Sequence, residues 1–148
     1  MRLVVQRVKN AQVSIHGQVH GKIPRGLMIL VGVEDSDDEQ DIKYLVHKVT
    51  HLRIFADQDN KMNFNLMRVK GQILSVSQFT LYADVSKGNR PSFFHAGRPR
   101  HAKQIYLKFN QALRDAGVHV ETGVFGADMQ VKLDNDGPAT FILDTDNK

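Results

Sequence analysis

The 148-residue sequence predicts an α+β fold, a mostly antiparallel, barrel-like sheet core carrying two main α-helices. Three observations lead there. The first third consists of short apolar segments punctuated by glycine and proline; two later stretches carry apolar residues at three- and four-residue spacing; and short apolar segments return after Gly117. Strand-rich blocks with segregated helices are the pattern of helices packed on an antiparallel sheet.

In chain order, Arg2 to Val8, Ala11 to Ile15, Val19 to Ile23 and the apolar run Leu27 to Val33 read as strands, separated by His16-Gly17-Gln18 and Pro24-Arg25-Gly26. Ser36-Asp37-Asp38-Glu39 reads as a capping box, and the acids around it favour a first helical turn. The helix that follows has the stripe Ile42, Leu45, Val46 and Val49. Leu52 to Phe55 is strand-like and leads into the polar loop Ala56 to Lys61; Gly71 to Leu81 is the next strong strand. The connection Ala83 to Gly97 has little pattern, and connections beyond about 12 residues are usually functional. A second helix carries Ala102, Ile105, Tyr106, Phe109, Ala112, Leu113 and Ala116 on one face, with Gly117 placed to close it. Val118 to Phe125, Met129 to Asp134 and Ala139 to Asp144 read as strands, the last two joined by a hairpin turn at Asn135-Asp136-Gly137-Pro138, four residue types that favour turns. With no repeats, low-complexity tracts or linkers, residues 1–148 are expected to form one domain.

A hydrophobic share of 41% and a charged share of 24% are ordinary for a soluble domain, and no run approaches the ~18 apolar residues of a membrane span. Met1-Arg2-Leu3-Val4-Val5 lacks the apolar region and cleavage site of a signal peptide. The absence of cysteine excludes disulfides, thiolate metal sites and Cys nucleophiles, so a cytoplasmic protein is the expectation. Charge is unevenly spread. Six acids occupy the eight positions Glu34 to Asp41, whereas Val85 to Arg114 holds seven cations and no carboxylate. Such a basic run is either a solvated face or the footprint of a polyanion such as RNA, and charge alone does not separate the two.

No conventional catalytic constellation is present. His47 and His51 have the spacing of a zincin pair, but Lys48 stands where the general-base Glu belongs, and Lys43 on the same face would repel a cation; no metal or other cofactor is expected. G-x-S-x-G, G-x-x-x-x-G-K and G-x-G-x-x-G are absent. What stands out is Ser77-Gln78-Phe79-Thr80-Leu81-Tyr82-Ala83-Asp84. Read as a strand, it puts Gln78 and Thr80 on one face with Leu74 and Val76, and Ser77 and Phe79 on the other. This is either a strand end reaching solvent or a pocket edge where hydroxyls, an amide and backbone N–H groups converge.

Three stretches in order, "SQFTLYAD" at 77–84, "KGNRPSF" at 87–93 and "NDGPAT" at 135–140, closely resemble the D-aminoacyl-tRNA deacylases of the bacterial and eukaryotic type. Supporting pieces are "QRV" at 6–8, "GVFGADM" at 123–129 and the Pro99-x-x-Ala102 entering the second helix, so the resemblance spans nearly the whole chain. It implies hydrolysis of the ester joining a D-amino acid, or glycine mischarged on tRNA(Ala), to the terminal adenosine of tRNA. It also implies a homodimer with interfacial active sites, in which a cis Gly137-Pro138 turn of one subunit enters the pocket of the other and rejects L substrates. tRNA is then the partner, with neither DNA nor a membrane involved. Ser77, Gln78, Phe79 and Thr80 would form the catalytic floor, with backbone N–H groups near Phe79 and Thr80 stabilising an oxyanion.

Two chemical routes stay open: participation of the ribose 2′-hydroxyl, and nucleophilic attack by Thr80, which has no adjacent base in the sequence. Phe125 and Met129 are either apolar contacts to the terminal adenine or core; Arg7 is either a brace for the Gly-Pro turn or a surface strand residue. The competing functions are a non-catalytic RNA-binding module and a Thr80-dependent esterase.

Overall fold

The computed structural model describes residues 1–148. Its strands are β1 (Arg2–Ile15), β2 (Gln18–Ile23), β3 (Gly26–Gly32), β4 (Phe55–Ala56), β5 (Met62–Phe64), β6 (Gln72–Ser77), β7 (Val120–Thr122) and β8 (Gln130–Asp144), with helices α1 (Glu39–His51) and α2 (Pro99–Asp115). β4 and β5 form a small separate hairpin; the other six strands form one sheet.

β1 is the spine of this sheet. It pairs antiparallel with β3 through its first half, with β2 through its second half, and with β8 from Arg2 to Ser14. β6 runs parallel to both β3 and β7, so the antiparallel part is joined to a parallel part and the sheet is mixed. β7 then approaches β2: His20 Nδ1 lies 2.8 Å from the Thr122 carbonyl oxygen, which brings the sheet close to closing on itself as a barrel. Side-chain alternation divides the core between the two faces of the sheet. Leu27, Ile29, Val31 and Ile73 join the helices in the larger cluster, whereas Met28, Leu74 and Val76 join Val8, Ala11, Val13 and Ile23 in the smaller.

Both helices bury most of the expected stripes, Ile42, Leu45 and Val49 on α1 and Ala102, Ile105, Tyr106, Phe109 and Leu113 on α2, whereas Val46 and Ala112 are only half-buried and Ala116, the C-cap of α2, is exposed. Gly117 follows the α2 C-cap with φ +90°, a conformation that favours glycine. No helix is long and apolar enough to cross a membrane.

Several local expectations are corrected. Arg2 to Val8 and Ala11 to Ile15 are one strand, because β8 bridges the polar Lys9-Asn10 step with a register shift. The capping box is displaced by two residues: Asp38 is the N-cap and accepts from the Gln40 and Asp41 N–H groups, while the Asp41 carboxylate accepts from Asp38 N–H. Asp37 is instead buried, holding the Met1 ammonium together with Thr145. The strand expected at Leu52 to Phe55 is only the two-residue β4, and Val118 to Phe125 keeps only three residues in β7. β6 ends at Ser77, paired with Val31 near the end of β3; with no further partner the chain turns into a 3-10 helix at Phe79–Tyr82, so the alternation expected across 77–81 does not hold.

The largest correction concerns Asn135 to Pro138. The flanking segments do not pair with each other, as a hairpin would require. Both lie along β1: Thr140 opposes Gln6 and Asn135 opposes Val8, so the residues between them are extruded from one continuous strand as a wide bulge.

Candidate active site

A cavity of about 710 Å³ opens where the ends of β3 and β6 meet the start of α2. Val31, Val33 and Val76 form its base, Ser77, Gln78 and Phe79 one lip, and Ala102 and Tyr106 the helical wall. Phe125 to Met129 and Val131 close the far side. Its rim is the connection after Ala83, which includes Phe93, Ala96, Gly97 and Arg98. Gly97 lets this rim sit against the end of β3: its N–H donates to the Val33 carbonyl at 2.8 Å, and a Cβ there would lie 3.1 Å from that same oxygen. The Asp35 carboxylate accepts from both the backbone N–H (2.8 Å) and Nε (3.0 Å) of Arg98. These contacts, led by the backbone hydrogen bond, hold the Asp35 carboxyl below its usual range.

The structure brings together part of the site expected from sequence. Ser77, Gln78, Phe79, Phe125 and Met129 all line the cavity. Phe79 stacks edge-on with Phe93 at 4.8 Å, joining lip to rim. Thr80 is exposed and lies outside the lining; its hydroxyl has one partner, the Gln78 amide Nε2, at 2.5 Å. The first two N–H groups of the 3-10 turn, those of Phe79 and Thr80, donate to no protein acceptor, which leaves them available to a ligand oxygen. Tyr106, read as core, also faces the cavity, yet donates its hydroxyl to the Ser75 carbonyl at 2.8 Å. Burial pushes its phenol pKa up, so it is no base at neutral pH. Helical periodicity marks Tyr106 as buried and carries no sign of which buried surface it meets.

Arg7, Gly137 and Pro138 lie elsewhere, outside this chain's cavity. The Gly137-Pro138 bond is cis, Gly137 has φ +126°, and both residues are exposed. The bulge is tied down from behind. Arg7 donates through Nε to the Asp136 carbonyl (3.1 Å) and through Nη1 to the Ile54 carbonyl (2.5 Å), and its guanidinium lies 3.4 Å from the Asp136 carboxylate. Asn135 Nδ2 donates to the carbonyls of Arg7 and Ala139, at 2.9 and 3.1 Å. A Cβ on Gly137 would sit 2.8 Å from Arg7 Nη2, so the arginine packs directly under the bulge and is no free surface residue.

This arrangement suits polar addition to a carbonyl better than chemistry from an activated side chain. The polar residues Ser77 and Gln78 and the undonated Phe79 N–H lie at one lip of an apolar cavity, and the Thr80 hydroxyl lacks a basic partner. The sequence model of the D-Tyr-tRNA(Tyr) deacylase family matches residues 4–144. The D-aminoacyl-tRNA deacylase of Thermus aquaticus is 54% identical over 148 residues, covering 100% of this chain and 97% of that protein. Among solved structures, the c-Myc DNA Unwinding Element Binding Protein superposes with a TM-score of 0.92 at 38% identity, covering 98% of this chain and 99% of that one. A probable eukaryotic D-amino acid tRNA deacylase shares the fold, with a TM-score of 0.84 at 18% identity over 96% of this chain and 97% of its own.

The family match and the 54%-identical relative define an enzyme of the aminoacyl-tRNA deacylase class. More narrowly, the chain belongs to the D-Tyr-tRNA(Tyr) deacylase family.

Proposed function

We propose that this protein hydrolyses the ester of D-aminoacyl-tRNA, and of glycyl-tRNA mischarged on tRNA(Ala), releasing the amino acid and free tRNA while sparing L-aminoacyl-tRNA. It works as a cytoplasmic homodimer, residues 1–148 forming a single deacylase domain, with no cofactor. The observation that carries the reading is the braced bulge of β8. An exposed Gly137-Pro138 excursion, fixed by Arg7 and Asn135 yet remote from its own cavity, is suited to entering the cavity of a second copy.

In the complete site, backbone carbonyls of the bulge accept the substrate α-ammonium. The N–H groups of Phe79 and Thr80 take the ester oxygen as water adds to the carbonyl carbon. With ammonium and carbonyl both pinned, handedness is decided by sterics: a D side chain points out to solvent and an L side chain runs into the bulge. Gln78 orients Thr80 and Ser77 lies beside the ester. Phe125 and Met129 offer apolar surface to the terminal adenine.

The 2′-hydroxyl route is favoured over a Thr80 nucleophile because that hydroxyl meets only an amide. Thr80→Ala is therefore expected to keep turnover within about threefold of the parent, since loss of a true nucleophile costs about four orders of magnitude or more. A slower variant by that margin would instead assign Thr80 the attack.

The decisive experiment compares D-tyrosyl-tRNA with L-tyrosyl-tRNA. Hydrolysis of the D form about a hundredfold or more faster is expected; equal rates, or none on the D form, would sink the proposal. A second reading, nucleic-acid binding without chemistry, draws on the name of the 38%-identical structure and on the basic rim. Binding of tRNA without release of the D-amino acid would favour it.

A further inference from the structure

Next to Phe93, which lines the cavity, Phe94 lies outside the lining and is 88% exposed, the most exposed large apolar side chain of the molecule. A phenyl group left in water forgoes the stabilisation that burial gives its neighbours. The backbone that carries it is nonetheless held in place. Asp84 and Ser92 exchange two backbone hydrogen bonds of 2.8 Å at the foot of the loop, Ala96 N–H donates to the Phe93 carbonyl at 3.0 Å, and Phe94 N–H donates to Ser92 Oγ at 3.4 Å. The His95 ring stands edge-on to the phenyl at 5.7 Å. Lys87 and Arg90 share the loop and Arg100 follows it; all three are exposed and none is paired with a carboxylate.

An exposed aromatic on a hydrogen-bonded loop that also carries unpaired cations, immediately outside a cavity suited to the end of a chain, matches single-stranded nucleic acid, whose bases stack on aromatic faces while cations follow the phosphates. We propose that Phe94 is a stacking platform for an unpaired nucleotide just upstream of the 3′ terminal residue of the RNA substrate, with Lys87 and Arg90 on the adjoining phosphates. Phe94 thereby positions the RNA strand and touches no reacting atom. This rests on the tRNA reading above and assigns the rim loop its share of it.

The test uses the full-length protein with Phe94→Ala, Phe94→Leu and Phe94→Trp, all at an exposed position where folding is checked by an unchanged unfolding midpoint. The probe is an uncharged RNA hairpin with a single-stranded 3′ tail, compared with the same hairpin made blunt. Phe94→Ala and Phe94→Leu are expected to weaken binding of the tailed RNA about tenfold, with Phe94→Trp restoring it and the blunt RNA indifferent to all three. With D-tyrosyl-tRNA the same two variants raise KM by a similar factor and leave kcat in place. Equal affinity of all four proteins for the tailed RNA, or an equal loss on the blunt RNA, overturns the proposal. Failure of the parent to hydrolyse D-tyrosyl-tRNA while the tailed-RNA pattern holds would strike the deacylase reading and leave the platform standing.

Discussion

Arg7→Ala is expected to lower kcat/KM for D-aminoacyl-tRNA by about ten- to a hundredfold and to narrow the gap between D and L substrates. Arg7 does not line its own cavity, so a loss of this size has to travel through the bulge it braces. Its side chain is 11% exposed, and removing it strips the Asp136 and Ile54 carbonyls of their donors. An unsatisfied group of this kind costs about 1–3 kcal/mol, enough for the bulge to relax. A displacement of about 1 Å in a positioning element costs about a hundredfold in rate. Arg7→Lys retains a charge but cannot reach two carbonyls with a planar fork, and is expected to fall between parent and alanine. Gly137→Ala attacks the same contact from the other side, because its Cβ would meet Arg7 Nη2 at 2.8 Å. Unchanged discrimination in an Arg7→Ala protein that has plainly lost stability would separate the brace from chirality.

The largest effect on stability is expected from Asp37→Ala, about 3–5 kcal/mol, because it leaves the Met1 ammonium buried without its counter-charge. The Met1 and Asp37 side chains are 0% and 2% exposed. Asp37 Oδ2 also accepts from Glu34 N–H at 2.7 Å, and the ammonium has only Thr145 Oγ1, at 2.6 Å, as a second partner. For a chain of this size each kcal/mol moves the unfolding midpoint by about 2–4 °C, so a calorimetric shift of roughly 10 °C is expected. Asp37→Asn, which keeps the shape and loses the charge, should lie between. The loss reaches the cavity, because the same turn carries Asp35, which holds Arg98 on the rim. A midpoint within about a degree of the parent would show that the ammonium finds water or another partner.

The sequence is most legible where structure is decided locally. The α2 stripe and its stop at Gly117 follow from helical spacing and a residue tolerant of positive φ, and the structure keeps the stop and the stripe from Ala102 to Leu113, losing only its last turn at Ala116 to solvent. Strand pairing is not local. Asn135 to Pro138 has the chemistry of a turn, but whether its flanks pair with each other or with a distant strand depends on β1 being long enough to serve both, which no nearby residue records. Ser77 to Leu81 misleads for a related reason. Phe79, Thr80 and Leu81 favour a strand, yet β3 runs out as a partner and the chain turns into a 3-10 helix instead. Ser77, Gln78 and Phe79 do line the cavity, but the turn that sets their geometry and leaves Thr80 outside it is not legible in the motif, and the rim residues Gly97 and Arg98 belong to a connection marked only by its length.

The bulge has a consequence unrelated to substrate. β8 pairs on one side only, with β1, and so presents fifteen residues of unpaired edge, the kind of template on which a foreign strand can add. The excursion between Asn135 and Thr140 breaks that edge into two short runs, and Pro138 has no N–H to offer at the break. A feature read as a gate for chirality thus also protects the folded chain against unwanted β-aggregation.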